Sequence, residues 1–203
     1  MSMIGKGSPW GAIDSENVVA EGITFVHTPG HGGYKLSRER NAKVDSAWRK
    51  PGGWYEEDCE WAIVALTFPD VFPAEHNGTD LVALTHQTAK NYYPDEYAAA
   101  TGNTVPVQES YVLRQRAFRA GTEDDLVTIS AFGDWAEWVP AGMVGVFAVV
   151  GGRGALPTSR VNEQGRYYLV PAAAYRDRTE FGFIVDPAVH AQVPGPDRYR
   201  SQS

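Results

Sequence analysis

The sequence predicts an α+β fold: an N-terminal hairpin with helices, followed by a C-terminal antiparallel sheet with helix packed on one face. Three observations lead there. Short β-prone runs flank a Pro/Gly turn near the start of the chain, and helix-spaced apolar residues bounded by caps and prolines fill the middle. Four strand-like runs with little helix between them occupy the last hundred residues. At 203 residues the chain is expected to be one domain over 1–203. Subdomains are expected at 10–102 (hairpin plus helices, acidic) and 107–190 (helix plus antiparallel sheet).

The elements follow in order. Ile23-Thr24-Phe25-Val26 has strand propensity, Pro29-Gly30-His31-Gly32-Gly33 is a strong turn, and Tyr34-Lys35-Leu36 alternates as a returning half-buried strand does. Ser37 suits a helix N-cap, with Arg40 in place of the acid that a capping box requires. A helix is expected from about Trp54 to Phe68, ended by Pro69. Its first turns would hold Glu56, Glu57, Asp58 and Glu60, which suits the positive end of the helix dipole. Cys59, Ala62, Ile63 and Leu66 would form its apolar face.

Asp80 is expected to cap a second helix, with a buried stripe of Leu81, Leu84, Thr85, Thr88 and Tyr92 and a break at Pro94. Asp95–Thr101 would add a short helix closed by Gly102. A further helix runs from about Val107 to Ala120. The strands follow at Leu126–Phe132, Met143–Val150, Tyr167–Val170 and Phe181–Val185, with a short helical stretch at Ala172–Tyr175. Gly151–Gly165 reads as a loop.

Composition removes several functions. Hydrophobic residues make up 43% and charged residues 21%, so the chain has the balance of a globular domain. No signal segment is recognised at the N-terminus, and the longest apolar run, Met143–Val150, is far short of the roughly 20 residues a bilayer span needs. The expectation is a cytoplasmic protein that uses no membrane. One cysteine rules out an internal disulfide framework and a Cys-rich zinc site. The net charge of −7 makes direct nucleic-acid binding unfavourable, even with Arg114, Arg116 and Arg119 on one expected helix.

The candidate site residues lie mostly in the acidic first half. His27 and His31 have helical ligand spacing, but Pro29 and the glycines forbid a helix there, so no metal site is assigned. His31 on an exposed turn is instead a candidate acid or base, with Glu57 or Asp58 as its carboxylate partner. Glu56 and Glu60, like charges four apart, call for a cationic partner in this chain or another. Cys59 falls on the apolar helix face and reads as a small hydrophobe. Arg153, within Gly151-Gly152-Arg153-Gly154, is an anion-clamp candidate without a Walker lysine. Trp135 and Trp138, in a loop, mark a candidate binding surface. No cofactor is expected.

Three stretches together resemble an uncharacterised family of bacterial plasmid, phage and mobile-element proteins. They are residues 27–37 (HTPGHGGYKLS), residues 53–62 (GWYEEDCEWA), and Gly133-Asp134-Trp135 with 181–187 (FGFIVDP). The resemblance covers about Trp10 to His190 and carries no catalytic assignment. It implies accessory cargo that helps an element persist in its host. Two functions follow. The first is an acidic accessory protein that binds and blocks a host factor of an anti-defence kind, such as a nuclease or nucleic-acid-binding complex with a basic surface. Glu56, Glu60, Trp135, Trp138 and Arg153 are its candidate contacts. The second is a small acid–base hydrolase or transferase using His31 with Glu57 or Asp58.

Overall fold

A computed structural model describes residues 2–196. The chain divides between Arg114 and Gln115 into two compact units. Both helices and antiparallel sheets are present, and the class is α+β.

The first unit is built on a four-stranded antiparallel sheet of β1 (Ser15–Ala20), β2 (Ile23–His27), β3 (Gly32–Leu36) and β4 (Trp54–Glu56), in that spatial order. The expected hairpin is β2–β3. The alternation of Ser15–Ala20 is too weak to have marked β1 in the sequence. Ser37 does cap a helix, α1 (Arg38–Asn41), its Oγ accepting from the Arg40 N–H at 3.2 Å.

The helix expected from Trp54 is corrected by the structure. Trp54–Glu56 is strand, Glu57–Glu60 turns, and α2 covers only Trp61–Thr67. The aromatic pair Trp54-Tyr55 continues the sheet beside Tyr34 and Lys35, a tertiary pairing that overrides local helix pattern. Ala62, Ile63, Val64 and Ala65 of α2 are all buried. Ile63 packs with Ile23, Leu36, Val44, Tyr55 and Phe68 in the unit's core.

Asp80 caps α3 (Leu81–Tyr92) through Oδ1 to the Ala83 N–H at 2.9 Å. The stripe it buries centres on Thr85 and Ala89. Tyr92, expected inside, is exposed. Pro94 breaks the helix by starting α4 (Pro94–Thr101), and Gly102 closes that helix at φ 74°. A short 3₁₀ turn at Val107–Glu109 precedes α5 (Tyr111–Gly121).

The second unit holds a five-stranded antiparallel sheet. Its strands are β5 (Leu126–Phe132), β6 (Met143–Val150), β7 (Arg166–Pro171), β8 (Ile184–Val185) and β9 (Ala191–Val193), in the spatial order β8-β5-β6-β7-β9. Strand alternation separates two faces. Val146, Ala148, Tyr168 and Val170 form one, covered by Ala174 and Tyr175 of α7 (Ala172–Tyr175). On the other, Phe147 and Tyr167 stack at 4.7 Å, and Trp138 meets Tyr167 edge-on at 5.6 Å. A Cβ on Gly145 would collide with the Trp138 ring, and one on Gly165 with Phe147. The segment read as a loop holds α6 (Thr158–Gln164). Its apolar pattern is too sparse to announce a helix. Among the described residues no helix is long and apolar enough to cross a membrane.

Candidate functional site

The site forms where the end of the β2–β3 hairpin meets the segment that follows β4. Register is the cause: His27 pairs with Gly32, and Gly33 pairs with Glu56. The ladder continues one step past β4, where the Glu57 N–H donates to the Gly32 carbonyl at 3.1 Å. The Gly32 N–H returns a bond to Glu57 Oε1 at 2.7 Å. That reciprocal pair fixes the Glu57 carboxylate against the turn. A side chain at position 32 would displace Glu57, because its Cβ would overlap Glu57 Oε2 and stand 3.0 Å from the Phe25 ring.

His31 is held by its own turn. The Thr28 N–H and Oγ1 both donate to the His31 carbonyl at 2.8 Å, and the His31 N–H donates back to Thr28 Oγ1 at 3.2 Å. Its imidazole is exposed. His31, Glu56 and Glu57 each offer one donor atom, and these three atoms lie within 4.8 Å of one another. The sequence expectation that His31 partners Glu57 therefore has a geometric counterpart, with Glu56 as a third member.

The turn between β4 and α2 is organised by carboxylates. Glu56 Oε2 accepts from the Asp58 N–H at 2.7 Å and the Cys59 N–H at 3.4 Å. Glu60 Oε2 accepts from the Glu56 N–H at 3.1 Å, and its Oε1 pairs with Lys50 Nζ at 2.5 Å. The cationic partner that the acidic run calls for is thus Lys50, in the same chain, for Glu60. Neither Glu56 nor Glu57 forms an ion pair with a Lys or Arg among the described residues. Glu56 Oε1 is buried and accepts no hydrogen bond. These acids bond to backbone in a turn and do not crowd a helix start.

Asp58 is exposed. Cys59 is half-buried, and burial, followed by the charges of Glu56, Asp58 and Glu60, pushes its thiol pKa up. A thiol held protonated is a poor nucleophile. Trp135 is 73% exposed, whereas Trp138 packs on Gly145 and Phe132 within the second unit. The Arg153 guanidinium donates to the Ile129 carbonyl at 2.8 Å in that unit. An apolar cavity of about 460 Å³ also lies in the first unit, lined by Trp48, Trp61, Leu66, Phe72, Leu81 and His86 among others.

Sequence reasoning placed Glu56 among partner-binding acids and missed Gly32 as the clamp on Glu57. The aromatic pair Trp54-Tyr55, read as strand, would have brought this segment beside the hairpin.

By fold and site, the first unit is an antiparallel-sheet domain carrying a histidine–carboxylate cluster at a hairpin end. The chain belongs to the family described as a domain of unknown function, DUF7007, which matches residues 4–123. The match includes the segments at 27–37 and 53–62, and with them every member of the cluster. No curated protein and no solved structure matches the chain.

Proposed function

We propose that this protein is a small hydrolase or transferase whose reaction centre is His31 with Glu57 as its carboxylate partner. One observation carries the reading: an exposed imidazole stands with two carboxylates within 4.8 Å, brought together from segments about 25 residues apart. An imidazole open to solvent beside a carboxylate oriented by a backbone N–H has the placement that proton transfer or water activation requires. Glu56, whose Oε2 is held by the Asp58 and Cys59 N–H groups, supplies the second carboxylate of the cluster. The test is turnover of a panel of phosphoesters, carboxylic esters and amides. His31→Ala and Glu57→Gln should each abolish an activity that the parent chain shows. An activity that survives both substitutions overturns the assignment.

A second reading has its own support. Asp58, Asp70 and Glu75 are all exposed, leaving carboxylates available to a basic surface. This favours an acidic accessory protein of a mobile element that blocks a cytoplasmic host factor without binding nucleic acid itself. Glu56 and Glu60, engaged in internal bonds, contribute little to such a surface. Capture from host cells at low and moderate salt should yield a stoichiometric, salt-sensitive partner. Reversing Asp70 and Glu75 to lysine should abolish that partner, and capture that persists after reversal overturns the reading.

A further inference from the structure

We infer that His31, Glu56 and Glu57 form a binding site for one divalent transition-metal ion, such as Zn²⁺ or Mn²⁺. The inference shares its location with the proposed hydrolase or transferase centre and deepens that reading. In place of a proton carried by His31 itself, a bound ion would activate water there.

The first support is the donor set. One imidazole and two carboxylates from three residues converge, each offering one donor atom within 4.8 Å of the other two. Metal–ligand bonds of about 2.0–2.2 Å set neighbouring donors roughly 3–3.5 Å apart. The cluster therefore needs to close by no more than about 2 Å, a movement available to side-chain rotation at exposed His31. Mixed imidazole and carboxylate donors suit borderline divalent ions such as Zn²⁺ and Mn²⁺.

The second support is independent of that distance. Glu56 Oε1 is buried and accepts no hydrogen bond. A buried carboxylate oxygen without a donor is costly, and native chains seldom tolerate one. No Lys or Arg pairs with Glu56 or Glu57 among the described residues. Lys50 pairs with Glu60 and Lys90 with Glu109, away from both carboxylates. A cation between the two carboxylates supplies the missing counter-charge.

The surroundings fit an outer shell. Gly32 N–H orients Glu57, while Asp58 N–H and Cys59 N–H orient Glu56 Oε2. Backbone donors of this kind hold ligand carboxylates in place. The exposure of His31 leaves one side of the ion facing solvent, and an open coordination position is what distinguishes catalytic from structural sites. An ion bound there would lower the pKa of its water and generate a nucleophile near neutral pH.

The test is isothermal titration of the full chain, stripped with chelator, with ZnCl₂ and separately with MnCl₂. One ion per chain is expected. His31→Ala and Glu56→Gln should each weaken binding at least about tenfold. Asp124→Asn, at an exposed acid of the second unit, should leave it unchanged, and circular dichroism checks that each variant is folded. Absence of binding overturns the inference, as does binding that survives the His31→Ala, Glu56→Gln double variant. The readout needs no substrate, so the two proposals separate cleanly. His31-dependent turnover without metal binding overturns the metal site alone. Metal binding without turnover of any panel substrate overturns the enzymatic reading alone.

Discussion

Removing one oxygen atom, by Tyr55→Phe, should destabilise the first unit by about 2 kcal/mol. Tyr55 is fully buried. Its hydroxyl donates to Asn41 Oδ1 at 2.7 Å and accepts from the Lys50 N–H at 3.2 Å. The substitution preserves ring packing and deletes both bonds. A net contribution of about 1 kcal/mol per neutral bond gives about 2 kcal/mol. Asn41 and Lys50 are half-buried, so water recovers part of the added cost of leaving their groups unpaired, and the estimate stays near that sum. The assay is equilibrium urea unfolding followed by tryptophan fluorescence. With a slope of about 2 kcal/mol/M, the midpoint should fall by about 1 M at constant slope. Tyr92→Phe, at a residue 45% exposed, is the control and should shift nothing. A Tyr55→Phe shift below about 0.2 M would refute the view that this hydroxyl ties β4 to the segment between Asn41 and Lys50.

Three other outcomes are expected. Burial pushes the phenol pKa values of Tyr34, Tyr55 and Tyr93 above the ordinary value of 10.0. The folded state therefore holds these protons more tightly than the unfolded chain. The stability they confer is complete below pH 10 and is lost as pH rises through the raised values; urea midpoints should fall as pH rises above about 10, and less so in Tyr34→Phe. Gly32→Ala should leave the fold intact, because the colliding Glu57 carboxylate is the free end of a side chain. It should also displace Glu57 and abolish ion binding by calorimetry. Gly165→Ala drives a methyl group into the buried Phe147 ring, and should lower stability by about 1–3 kcal/mol in thermal unfolding.

The sequence showed those features that local chemistry decides. Ser37 and Asp80 cap helices because their side-chain oxygens reach backbone N–H groups three residues on. Gly102 ends α4 because it adopts positive φ at little cost. Met143–Val150 forms a strand over its whole length because it is a short apolar run rich in β-branched valine and buried on both faces. Trp54–Glu56 was illegible for the opposite reason. Its strand state comes from pairing with Gly33–Lys35, about twenty residues away, while its acids imitate a helix start. The site was half legible. His31 and Glu57 could be named from residue type and turn position, but the inclusion of Glu56 and the clamp by Gly32 depend on register. Register is a property of two strands and cannot be read from either one alone.

Strand β4 is three residues long and lies at the edge of its sheet. Glu56 sits at its last position and Glu57 immediately follows, so two of the three clustered groups exist as neighbours of His31 only while this edge is zipped. Edge segments open with less free energy than a domain's core. The cluster is therefore governed by a local opening equilibrium and can be dismantled while Ile23, Leu36 and Ile63 stay packed. Amide exchange at Glu57 would report that opening directly, and a ligand that bridges the cluster would slow it by stapling the edge shut.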